Sequence, residues 1–135
     1  ALGMETDNAK KAEMAYATAA ALWQAKKLSQ ARSYAQKAIS FNESYGEPYI
    51  LLAQMYGSNP NWSDEPALNR CTYFVVIDKL QRAKAVDPSV TDKVNELIST
   101  YARHTPQAKD LFMLGYKAGD RITIGGWIGE TTTIR

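Results

Sequence analysis

The sequence predicts an all-α fold, an α-α superhelix of about three helical hairpins, finished by a short C-terminal β-hairpin or extended tail. Three observations lead there. Alanines and larger apolar residues recur at three- and four-residue steps through most of the chain, the spacing that lines one face of a helix. Proline, glycine and capping residues interrupt that period at points that leave mostly short links, and helices joined by short links pack antiparallel. Residues 120–135 then drop the helical period for isoleucines alternating with polar residues, a strand pattern.

The elements follow in order. Residues 8–27 carry Ala12, Ala15, Ala19 and Leu22 on one face, with Asp7 as the expected N-cap. Ser29 is the expected cap of a second helix reaching Phe41, with Ala31, Ala35, Ala38 and Ile39 together, so residues 8–41 form one hairpin. Pro48 suits a first helical turn; Tyr49, Leu52, Ala53 and Tyr56 share a face, and Gly57 is the expected stop. "SNPNWSDEP" supplies turn chemistry for an inserted loop over 57–67. A helix from about Leu68 to Val86, with Phe74, Val76, Ile77, Leu80 and Ala83 apolar, completes a hairpin over 47–87 and ends at Asp87-Pro88. A third hairpin over 91–115 takes Val94, Leu97, Ile98 and Tyr101, then Thr105-Pro106 as the opening of a short helix with Ala108, Leu111 and Phe112, stopped by Gly115. The helical domain thus covers 1–119 and the tail 120–135.

The stretch "QRAKAVDPSV" shows how one unit hands over to the next: small Ala83 allows a close approach, and Asp87-Pro88 turns the chain into a new helix. Ala38 and Ala83 hold matching places 45 residues apart. These features resemble a tetratricopeptide repeat protein, whose unit is about 34 residues long. The excess of about 11 matches the inserted loop, which lengthens a connection at small entropic cost. In the first unit the small Ala19 and the trio Ala31, Ala35, Ala38 carry the resemblance; Lys26-Lys27 stands where a glycine-bearing turn is usual. In the second, Tyr49, Leu52, Ala53, Tyr56 and "LQRAKAVDP" carry it, and the third is a shortened terminal repeat. The tail "GDRITIGGWIGETTTIR" resembles the end of longer bacterial proteins of this kind, which implies export to the periplasm or cell envelope. It also implies a second cysteine in the loop before Cys71; this chain lacks it, which leaves a disulfide role without its partner.

For the tail, Gly125-Gly126 as a two-residue turn would place Arg121 opposite Glu130. An isolated two-stranded hairpin is marginal in water. It must lie on the last helix through Trp127 and the isoleucines, or pair with a second molecule and form a homo-oligomer.

Composition narrows the function classes. Sixteen Lys+Arg against fourteen Asp+Glu leave a net charge of +2, without the clustered basic face of a nucleic-acid binder. No apolar stretch approaches the ~20 residues that cross a bilayer, and no charged segment followed by an apolar run opens the chain as a secretory signal would. The start at Ala1 instead of Met leads us to expect a processed product or a piece of a longer chain. His104 is the only histidine and Cys71 the only cysteine, so no triad, zinc motif or internal disulfide can be assembled. "IGGWIG" lacks the Lys-Ser/Thr of a phosphate loop. We therefore expect no enzyme, no metal and no cofactor, and a protein or peptide as partner. Repeat hairpins offer the first helix of each pair to a trough that suits an extended peptide or a partner helix. Glu13, Tyr16, Ala20 and Gln24 of the first unit, Ile50 and Gln54 of the second, and Asn95, Ser99 and Arg103 of the third are the expected trough residues. Trp62 in the inserted loop is either an anchor on the core or an exposed hot spot.

Overall fold

Short links force the helices to pack in pairs, and the computed structural model shows which pairs form. It describes residues 2–135, with side chains from Asp7 onward. Helix α1 (Leu2–Gln24) packs on α2 (Leu28–Phe41), and α3 (Glu47–Ser58) on α5 (Thr72–Val86), with the short α4 (Pro66–Arg70) before it. A 3-10 turn, Pro88–Val90, leads into α6 (Thr91–Ala102), and α7 (Ala108–Met113) follows. Strands β1 (Arg121–Thr123) and β2 (Thr131–Thr133) end the fold. The fold is mostly helical with one small antiparallel sheet, as the sequence predicts at that level.

Alanine makes the first pair close. Ala12, Ala15 and Ala19 of α1 and Ala31, Ala35 and Ala38 of α2 are buried, so the helices meet along seams of single methyl groups. The second pair carries the larger side chains: α3 buries Tyr49, Ile50, Leu51, Leu52, Ala53, Met55 and Tyr56, nearly its whole circumference. Neighbours α1, α2 and α5 enclose it. On its remaining side Gly57 admits Tyr101 of α6, where a Cβ would stand 2.6 Å from the ring. Gly57 is thus a point of close approach inside α3 and not its stop.

Several boundaries move for local reasons. Helix α1 begins at Leu2, so Asp7 lies within it; the single Gly3 costs about 1 kcal/mol and does not break it. Its other end is a Schellman turn, in which the Lys26 and Lys27 N–H groups donate to Trp23 and Leu22 carbonyls at 2.8 and 2.9 Å. Lys26 takes the left-handed position of that turn with φ +62°. Helix α2 starts at Leu28, so Ser29 is its second residue and makes no cap. The helix expected from Leu68 starts at Pro66 and divides at Cys71 into α4 and α5. Asn69 there turns back to pin the inserted loop, accepting the Trp62 and Ser63 N–H groups at 2.9 and 2.8 Å. The Thr72 hydroxyl does the same, donating to the Pro60 carbonyl at 2.9 Å. Thr105 closes α6 through a bond from its hydroxyl to the Ala102 carbonyl, and α7 begins only at Ala108. Gly115, with φ +92°, does stop α7. On that helix Leu111 is buried whereas Phe112 is exposed.

Asp87 closes the second pair upon itself. Its carboxylate accepts the Gly46 N–H across 41 residues at 2.9 Å, and the Ser89 hydroxyl and N–H at 2.5 and 3.1 Å. The entrance of α3 is thereby fastened to the exit of α5. A Cβ on Gly46 would come within 2.8 Å of the Asp87 Cβ, so only glycine lets the two links meet. The Ser89 hydroxyl first, then the Gly46 N–H, hold the Asp87 carboxyl below its ordinary value of 3.8.

The tail departs from the expected register. Arg121 lies opposite Thr133, Ile122 opposite Thr132 and Thr123 opposite Thr131, so residues 124–130 form a loop and Arg121 does not face Glu130. The loop is long because the core draws it in. Ile124 and Ile128 are buried, Trp127 meets the Tyr56 ring edge-on at 5.3 Å, and Gly125 leaves room for Trp62, whose ring would stand 3.0 Å from a Cβ there. Strand β2 lies on α5, not on the last helix. Thr132 donates to Asp78 at 2.7 Å, and Arg135 pairs with Asp78 while its guanidinium stands 5.1 Å over the Phe74 ring.

Lys26→Gly is expected to stabilise the chain by about 1 kcal/mol, because a side chain in the left-handed region is strained and glycine is not; the midpoint of urea unfolding reads it. Asp87→Asn is expected to be less stable than the native chain at pH 7. Since the folded carboxyl titrates below 3.8, the native advantage is full above the unfolded value and is lost as pH falls through the folded one. Unfolding curves for both chains between pH 7 and pH 2 should therefore converge at the acid end.

Candidate protein-binding surface

Helices α1, α3 and α6 come near one another at a few points, while α6 packs on α5 and α7 on α4, so the hairpin expected over 91–115 does not close as a pair. Near the start of α3, Tyr16 of α1 meets Tyr45 of the preceding link edge-on at 5.6 Å. Glu47 in the first turn of α3 pairs with Lys93 of α6 at 3.3 Å. Toward the other end Gln24 of α1 lines a recess of about 540 Å³ with Trp23, Ser58 and Asn59, and Gly57 abuts Tyr101 of α6. Burial, and then the Glu47 carboxylate, push the Tyr16 hydroxyl above its ordinary value, with Lys93 acting against them. Burial and then Tyr16 do the same for Tyr45. Both phenols are neutral hydrogen-bonding groups at physiological pH.

The expected trough residues fall into three groups. Glu13, Gln24, Ser99 and Arg103 are exposed, and Tyr16, Ala20 and Gln54 are half-buried on the same three helices. Asn95 is exposed but occupied, its side-chain oxygen accepting from Lys84 Nζ at 3.0 Å. Ile50 is 1% exposed and belongs to the core. It offers nothing to a ligand, because α3 is enclosed by its neighbours along this turn. Tyr45, Glu47 and Lys93 join the surface and were not expected there. The visible signal for them is position: they lie at the link into α3 and at the start of α6.

Trp62 is half-buried, its indole N–H donates to the Leu68 carbonyl at 3.1 Å, and its ring meets Gly125. It anchors the inserted loop to the tail, and its outer side lines an open recess with Asn61, Ser63 and Asp64. His104 stacks on Tyr73 at 5.2 Å, and Tyr73 on Tyr101 at 6.0 Å. Cys71 is buried and its thiol pushed up to about 11, so it stays protonated. Among the described residues no group of His, Cys, Asp and Glu could hold a metal ion, and no helix is long and apolar enough to cross a membrane.

The tail covers part of α5 and reaches α2 and α3. Tyr56, fully buried near the end of α3, donates its hydroxyl to Glu130 of the tail at 2.5 Å and accepts from Arg32 Nε of α2 at 2.8 Å. Glu130 also pairs with Lys79 of α5 at 2.7 Å and stands 3.8 Å from Arg32. One carboxylate thus joins α2, α3 and α5 beneath the tail. Burial and then the bond to Glu130 push the Tyr56 hydroxyl far above its ordinary value.

No family model, curated protein or solved structure matches this chain. Polar and aromatic side chains on α1, α3 and α6 stay accessible, while the tail lies on α5 and bonds to α2 through Glu130.

Glu130→Ala is expected to destabilise the chain by about 2 kcal/mol, since Lys79 and the Tyr56 hydroxyl lose a charged partner. Hydrogen exchange should show the largest loss of protection over residues 121–134. A loss spread evenly over α1 and α6 would contradict the assigned role.

Proposed function

We propose that the protein is a non-enzymatic scaffold of tetratricopeptide type, which holds an extended peptide or a helix of a partner protein across α1, α3 and α6. The observation that supports this reading is that Tyr16, Gln54 and Arg103 stay accessible on α1, α3 and α6, which meet through Tyr16–Tyr45 and Glu47–Lys93, while the tail lies on α5. Half-buried aromatic and amide groups give directional contacts at low entropic cost. The mixed charge of Glu13, Glu47, Lys93 and Arg103 suits a polar segment with charges of both signs. Self-association through the tail draws less support, because Ile122, Ile124, Ile128 and Ile134 are spent within the chain.

Peptides selected on the immobilised chain from a random display library test this reading. Tyr16→Ala combined with Gln54→Ala is expected to weaken their binding about tenfold with the far-ultraviolet circular dichroism unchanged. Undiminished binding would refute the assignment to this surface.

A further inference from the structure

A second concavity, of about 400 Å³, lies away from that surface, between α7 and the end of the tail. Leu111, Phe112, Tyr116 and Ile134 give it an apolar wall, and Lys109 and Lys117 stand at its edge. Two features set it apart. Phe112 and Met113 are 74% and 84% exposed, beside the buried Leu111, so α7 holds large apolar side chains at the rim that its own fold does not cover. Lys109 and Lys117 form no ion pair among the described residues, and no acidic side chain lines the concavity. The third cation there, Arg135, is held by Asp78.

We propose that this pocket docks an acidic segment of a partner protein that carries a bulky apolar residue. The apolar residue enters between Phe112 and Ile134, and acidic neighbours on either side meet Lys109 and Lys117. Charge complementarity selects the acidic flanks. Concavity favours a side chain over a flat headgroup layer, since a recess of this volume encloses an anchor residue. Met113 at the rim adapts to anchors of different shape. The site shares no residue with the surface on α1, α3 and α6, so it stands or falls independently of it.

The test uses the full chain and a fluorescein-labelled peptide, Glu-Asp-Glu-Leu-Phe-Glu-Asp-Glu, followed by fluorescence anisotropy. Saturable binding is expected, weakening as salt is raised. Phe112→Ser should weaken it about tenfold, and Lys109→Glu combined with Lys117→Glu about tenfold. All three positions are exposed, and circular dichroism verifies that each variant stays helical. Tyr16→Ala with Gln54→Ala should leave this binding unchanged. The proposal is overturned by absence of saturation up to about 1 mM, by equal binding of a peptide with lysine in place of every acid, or by full affinity in both pocket variants. It is equally overturned if vesicles of anionic phospholipid bind through Phe112 and the acidic peptide does not displace them.

Discussion

A tyrosine hydroxyl in the middle of the core must find partners there, and much of the architecture follows from how Tyr56 finds them. Its ring is buried among the side chains of α3, and leaving the hydroxyl unbonded would cost about 1–3 kcal/mol. Arg32 reaches it from α2 and Glu130 from the tail. Glu130 is in turn a charge under partial cover, which Lys79 of α5 and Arg32 neutralise. The pairs α1–α2 and α3–α5 and the tail therefore share one polar junction. Removing any one partner leaves another group poorly matched, which is how a small network fixes the relative placement of elements that otherwise meet through non-directional apolar contacts.

The junction also explains what the sequence shows and what it hides. Helix identities were legible because periodicity is local: Ala31, Ala35 and Ala38, or Leu80 and Ala83, face inward as their spacing requires. Asp87-Pro88 was legible as a break. Its bond to the Gly46 N–H, 41 residues away, was not, since no local pattern records a long-range acceptor. The tail misled for the same reason. Gly125-Gly126 has the form of a tight turn, yet Gly125 serves the approach of Trp62 and Gly126 a left-handed backbone, and the pull of Trp127 and Ile128 into the core lengthens the loop and shifts the register. Ile50 reads as a surface residue only if α3 keeps one wet face, and it keeps none at that turn. Its sequence is apolar nearly all round, the mark of a helix surrounded on every side.

Small residues and turns divide the work of spacing. Alanines let α1 approach α2 along most of its length, whereas α3 and α5 meet through large side chains and are closed at their ends by Asp87 and Gly46 instead. Gly57 then lets Tyr101 in and so sets the distance of α6. Spacing in the first pair thus follows from side-chain volume. In the later pairs it depends on single glycines that accept a neighbour's carboxylate link or ring.

The same tail that lies on α5 also lines the terminal pocket. Beyond the Glu130 junction the chain continues as β2, whose end is paired back to the turn after α7: the Gly119 N–H donates to the Ile134 carbonyl at 2.7 Å, and the Ile134 N–H donates to the Asp120 carbonyl at 2.8 Å. These two bonds hold Ile134 against the segment that carries Tyr116 and Lys117. Asp78 of α5 anchors the strand on its other flank through Thr132 and Arg135. The pocket is therefore not a property of α7 alone, since Ile134 and Arg135 line it only while the tail is docked on α5. Loosening at Glu130 removes the apolar partner that faces Phe112, and a ligand that fills the pocket must in turn favour the docked tail, because linkage between binding and docking is reciprocal.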